Sequence, residues 1–145
     1  MRQWRSQRAE RRPVARHAVA GRPAMSQLGA MPPALAAQSI SRREIVLPLA
    51  AALECIDFCV LHRIPIYGWE GWVLTIDGRV GHGSAPQGTV CLADWPLEEA
   101  AAFCRRTMVS DAEVWQNENP ETTDKLHFCM TIGDAPGSSR PRSGT

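Results

Sequence analysis

Two stretches of the chain carry the spacing of an amphipathic helix. From Pro48 onward the apolar residues Leu49, Ala52, Leu53, Ile56, Cys59 and Val60 recur at intervals of three and four, while Glu54 and Asp57 fall on the opposite side. This spacing predicts a helix over about 48–62. Proline is tolerated in the first helical turn, where its missing N–H has no partner to lose, so Pro48 is read as the helix start. The alternative is a capping box at Ser41 to Glu44, which would put Pro48 in the helix interior. The signal returns at residue 95, where "WPLEEAA" echoes "LPLAAAL" at 47. Asp94 is positioned to cap, Glu98 and Glu99 suit the positive end of the helix dipole, and Leu97, Ala101, Cys104, Met108 and Trp115 line one side. A second helix is expected over about 95–117, ending before "NENPETTD".

Between and after the helices the period changes to two. Asp77-Gly78 is a two-residue hairpin signal, because both central positions of such a turn take positive φ. With that turn Ile76 faces Arg79, Leu74 faces Gly81 and Trp72 faces Gly83. Trp72, Leu74 and Ile76 then share one face, with Trp72 in the core over the glycines, and Val73, Thr75, Val80 and His82 take the other face. In "KLHFCMTI", Leu126, Phe128, Met130 and Ile132 alternate with His127, Cys129 and Thr131. "GTVCL" at 88–92 is a candidate fourth strand. The order helix, hairpin, helix, strand predicts an α+β domain: a small antiparallel sheet of three to four strands with two helices packed on one face. The other face is expected to be partly open.

Charge divides the chain. Residues 1–24 hold seven Arg and one Glu, net +6, whereas residues 25–133 hold seven Arg or Lys against thirteen acids, net −6. The acidic body disfavours binding to nucleic acid, which needs clustered Lys and Arg, and it favours a basic partner. Residues 1–40, basic and then Pro- and Ala-rich, read as a disordered segment, 41–133 as a single domain, and 134–145 as a disordered tail. A start codon nearer Met25 or Met31 would remove the basic run. Ser41 to Leu47 has the form of a twin-arginine export signal, but Glu54 and Asp57 interrupt the apolar run that should follow, so a cytoplasmic location is expected. No run approaches the length of a membrane span. The five cysteines, at 55, 59, 91, 104 and 129, sit in apolar runs and read as buried free thiols.

Candidate chemistry is sparse. His82, His127 and Cys129 would share the open face, with Cys91 able to join, and zinc takes such ligands, but no close ligand pair of finger type occurs. Cys55, Cys59 and His62 have ligand spacing on the first helix, where the thiols belong more naturally to the core. Cys91 with His82 could form a nucleophile pair and Glu70 could serve as a general base, yet neither comes with an orienting third group. The glycines of "DGRVGHGSAPQG" lack the Lys and Ser or Thr of a phosphate loop. The expectation is therefore a non-catalytic protein without a cofactor. A small enzyme or zinc protein built on His82, His127 and Cys129 is the alternative.

Aromatic residues and acids are what the body has in abundance. Tyr67, Trp69, Trp72, Trp95 and Trp115 exceed what a core of this size holds easily; Trp72 and Trp115 are expected inside. Tyr67, Trp69, Glu70, Asp77, Asp94 and Glu98 are the expected binding surface, aromatics as anchors and carboxylates to steer a basic partner.

Together, "IPIYGWEGWVLTIDGRVGH", "QGTVCLADWPLEEAAAFCRRTM" and "KLHFCMTI" resemble small cytosolic bacterial proteins of the polymorphic-toxin immunity class, over about residues 45–132. The resemblance implies a non-catalytic protein that blocks a cognate toxin, often by occluding a basic active site with acidic residues. The basic first segment departs from that pattern.

Overall fold

The computed structural model describes residues 24–137. Its elements are α1 (Ala24–Gly29), α2 (Pro33–Ala36), β1 (Ile45–Leu47), α3 (Leu49–Leu61), β2 (Ile66–Leu74), β3 (Val80–Gly81), α4 (Leu97–Glu118) and β4 (Lys125–Ile132). The strands form one antiparallel sheet in the order β1-β4-β2-β3. The last strand thus enters between β1 and β2, which run in the same direction on its two sides with α3 as their connection. The fold is α+β, as the periodicity predicts. Among the described residues no helix is long and apolar enough to cross a membrane.

Both long helices begin directly after a proline. Pro48 and Pro96 are the N-cap residues, extended at ψ 164° and 142°, and their carbonyls accept from Ala52 and Ala100. Neither start has a side-chain cap, so Asp94 does not cap α4: Trp95 and Pro96 stand between it and the first turn. The Ser41 hydroxyl does accept from the Arg43 and Glu44 N–H groups, but the chain continues into β1 rather than a helix. At its other end α3 closes in a Schellman motif, with Ile64 N–H on the Cys59 carbonyl and Arg63 N–H on that of Val60. Arg63 takes φ +57° there, a position usually held by glycine.

The core lies between the two helices and one face of the sheet. Ala51, Ala52, Cys55, Ile56 and Cys59 from α3 and Ala100, Ala101, Cys104 and Met108 from α4 meet Ile66, Trp69, Phe128, Met130 and Ile132. β4 keeps the expected alternation. Trp115 is also buried, in a smaller cluster with Val73 and Ala85. Residues 24–40 are not the structureless segment expected of them: they include two short helices and send Met31 and Leu35 into the main core. The apolar side chains of Leu28, Met31 and Leu35 provide the burial that outweighs the local Pro and Ala content. Residues 1–23 and 138–145 lie outside the described part.

The hairpin differs from expectation by one residue. Val73 pairs with Gly81 and Leu74 with Val80, and Thr75 N–H bonds the Arg79 carbonyl at 2.8 Å. The connection is thus three residues, Ile76, Asp77 and Gly78, with only Gly78 at positive φ, and the Thr75 hydroxyl accepts from Arg79 N–H to close it. A one-residue slip puts the opposite set of β3 residues across from each residue of β2. On β2 itself Ile66, Trp69 and Val73 are the buried apolar side chains, on the face that the helices cover, and Trp72 lies half-buried on the sheet face away from the helices.

Residues 88–92 do not form the fourth strand; β1 does. The segment from Pro86 to Leu92 runs beside β2 as a strap, tied by Gly71 N–H to Pro86 O, Thr89 N–H to Trp69 O and Leu92 N–H to Tyr67 O. Gly88 is at φ +93°, and a Cβ there would collide with the Trp69 carbonyl. Close approach and backbone conformation both require glycine at that point.

Candidate functional site

The six residues expected to form one binding surface are not one surface. Trp69 is fully buried, edge-on to Phe128 at 5.1 Å between ring centroids, with its indole N–H on the Thr107 hydroxyl of α4. It is a core residue because it shares strand parity with Val73, whereas Glu70 shares parity with Trp72 and Leu74. That charge was the available signal: it marks its own face as the one away from the helices. Tyr67 and Glu70 are half-buried. Asp77 is exposed in the hairpin loop, paired with Arg79 at 3.2 Å, and the Thr75 hydroxyl bond and this guanidinium hold its carboxyl below the usual range. Asp94 and Glu98 are exposed at the opposite end of β2, roughly 25 Å away at 3.3 Å per residue.

The second sheet face gathers most of the candidate chemistry. Trp72 stands opposite His127 and Glu70 opposite Cys129 in the β2–β4 register. The His82 ring meets Trp72 edge-on at 5.6 Å, so His82, His127 and Cys129 do share a face. Trp72 donates its indole N–H to Glu70 at 3.4 Å, and the Cys129 thiol donates to Glu44 at 3.4 Å. His82 and His127 each place Nδ1 on a backbone carbonyl, of Gly71 and Lys125, which fixes the hydrogen on that nitrogen, since a carbonyl only accepts. His127 and Cys129 are buried rather than open, and desolvation lowers the His127 pKa despite the bond to Lys125. Among the described residues no group of three or more His, Cys, Asp or Glu is arranged to hold a metal ion. Cys91 does not meet His82: its neighbour Leu92 is bonded at Tyr67, four residues along β2 from the Gly71 that His82 bonds.

The cysteines separate into two kinds. None of the five is in a disulfide: Cys55, Cys59, Cys104 and Cys129 are buried thiols, whereas Cys91 is exposed on the strap, contrary to expectation. Its neighbour Leu92 is the strap residue that is buried at this point. The Cys59 thiol hydrogen bond and burial push the Cys55 pKa up, and burial pushes that of Cys104 up to about 12.

The start of α4 carries an exposed aromatic group that the sequence pattern did not assemble. Trp95 is 40% exposed, and its ring leans on Phe103 at 5.1 Å, while the Arg106 guanidinium lies over the Phe103 ring at 5.4 Å. Asp94, Glu98 and Glu99 are exposed around it. The signal for this group was the helical spacing of Glu99, Phe103 and Arg106, four and three residues apart along one stripe of α4 at the margin of the core. Comparison with protein-family models, with curated proteins and with solved structures finds no match to this chain.

Proposed function

We propose that this chain is a cytoplasmic, non-catalytic protein-binding inhibitor of the immunity type, which neutralises a basic protein partner such as a toxin domain. The observation that carries the reading is Trp95, a large aromatic side chain left exposed among Asp94, Glu98 and Glu99. Interfaces draw their energy from a few aromatic anchors, and carboxylates at the rim steer a basic partner and raise its rate of association. The net charge of −6 over residues 25–133 supports the same partner chemistry and argues against nucleic acid or an anionic membrane surface. In this reading Asp94 and Glu98 keep the role expected of them, and Trp95 takes the anchoring place expected of Trp69.

The test uses the full chain as bait in extract of its source cells, beside a folded Asp94→Lys, Glu98→Lys double variant. A retained basic protein is then purified and titrated against both. The reading predicts at least ten-fold weaker binding by the variant and weakening of the wild-type complex with salt. A partner held equally by both baits at all salt concentrations would sink it.

A further inference from the structure

Four tryptophans lie among the described residues, and three of them have an acceptor for the indole N–H: Thr107 for Trp69, Glu70 for Trp72 and Ser84 for Trp115. Among the described residues Trp95 has none, and no cation stands over its ring. The neighbouring acids are in a similar condition. The ion pairs among the described residues join Asp77 to Arg79 and Asp57 to Arg105; Asp94, Glu98 and Glu99 make none. An exposed indole face, an unused donor and three unneutralised carboxylates therefore occupy one end of one helix.

The adjacent ring already displays the chemistry that fits. Arg106 lays its guanidinium over Phe103, the ring on which Trp95 leans, so one member of the aromatic pair is covered by a cation from this chain and the other is left open. Indole is the strongest cation acceptor among the aromatic side chains. The positive end of the α4 dipole, worth roughly half a charge, opposes a cation at this position, but three full negative charges outweigh it. Guanidinium suits the seat better than ammonium: it is planar, stacks on a ring, gives up water more readily, and can bond a carboxylate through two N–H groups while lying flat.

We infer that Trp95 is the seat for an arginine side chain of the basic partner, stacked on the indole and bonded by the carboxylates of Asp94, Glu98 or Glu99. The inference rests on the protein-binding reading above and adds to it the residue type by which the partner is recognised.

The probe is a set of acetylated, amidated hexapeptides of arginine, lysine and citrulline, titrated into the full chain while the 15N-labelled indole N–H signals are followed. The Trp95 signal is identified by its loss in Trp95→Phe. Hexa-arginine should move the Trp95 signal and leave that of Trp69 in place, hexa-lysine should bind at least three-fold more weakly, and hexa-citrulline should have no effect. Trp95→Leu should weaken hexa-arginine binding about three-fold, with the unchanged Trp69 signal reporting an intact fold. Equal binding of the arginine and lysine peptides, unaffected by Trp95→Leu, would reduce the site to bulk charge and overturn the seat, as would a stationary Trp95 signal. If the charge-reversed bait loses its partner while hexa-arginine leaves Trp95 unmoved, the arginine seat alone fails and the protein-binding reading stands.

Discussion

The Thr107 hydroxyl accepts the indole N–H of Trp69 at 2.9 Å and passes its own hydrogen to the Phe103 carbonyl at 2.8 Å. This two-step link joins the centre of β2 to the middle of α4 and satisfies the polar atom of a fully buried tryptophan. Replacing Thr107 by Val keeps the shape and removes the acceptor, which leaves a desolvated N–H and should cost about 1–3 kcal/mol. Thr107→Ser keeps the acceptor and should cost less. Urea unfolding followed by circular dichroism measures both, and a loss for Thr107→Ser larger than that for Thr107→Val would show that the methyl group, not the hydroxyl, matters.

Arg63 holds the left-handed position of the Schellman motif that ends α3, at φ +57°. A side chain with a Cβ is strained there by about 1–2 kcal/mol, and glycine removes that strain but loses part of the gain to the flexibility of the unfolded chain. Arg63→Gly should therefore raise stability by about 0.5–1 kcal/mol, while Arg63→Ala, which retains the Cβ, should change it little. Thermal unfolding of the two variants decides the point.

Burial lowers the His127 pKa below its ordinary value of 6.5. The folded protein then binds this proton less readily than the unfolded chain, so the contribution is full above pH 6.5 and is lost as pH falls through the folded value. Wild type should lose stability between about pH 7.5 and about pH 5.5 relative to His127→Leu, read from urea midpoints at the two values. Asp111 acts in the opposite sense, since burial raises its carboxyl pKa and protonation favours the fold, but its effect belongs to more acidic solutions. A constant difference between wild type and the His127 variant across the range would contradict that sign.

Thiol reactivity should divide as burial does. Iodoacetamide added to the native protein at about pH 8 should modify Cys91 and leave Cys55, Cys59, Cys104 and Cys129 until the chain unfolds, because only Cys91 is exposed and burial raises the pKa of Cys104 to about 12. Intact mass after timed quenching should show one rapid addition, absent from Cys91→Ser. A second addition at a comparable rate would mean that the core opens locally.

The helices and the last strand were legible because each repeats its pattern long enough to define a face. Leu97, Ala101, Cys104, Met108 and Trp115 point inward from α4 as their spacing predicts, and Phe128, Met130 and Ile132 do so from β4. The two Pro-Leu starts were legible for a local reason, the fixed φ of proline and its missing N–H.

Register was decided only by the assembled sheet. The Asp77-Gly78 turn allowed a two-residue connection until Thr75, Arg79 and Gly78 closed a three-residue one, and a period of two does not say which face is covered: the packing of the helices on the Trp69 side made Trp69 core and left Trp72 on the second face. The strand Ile45–Leu47 was too short to carry a pattern of its own and exists through pairing with β4. The grouping of Trp95 with Phe103 and Arg106 follows from the local geometry of the α4 start, whereas the separation of Asp77 from Asp94 depends on how the strap lies along β2. Local sequence determined the two long helices and the last strand, where the pattern repeats; contacts between residues distant in the chain determined the short edge strand and which side of β2 faces the core.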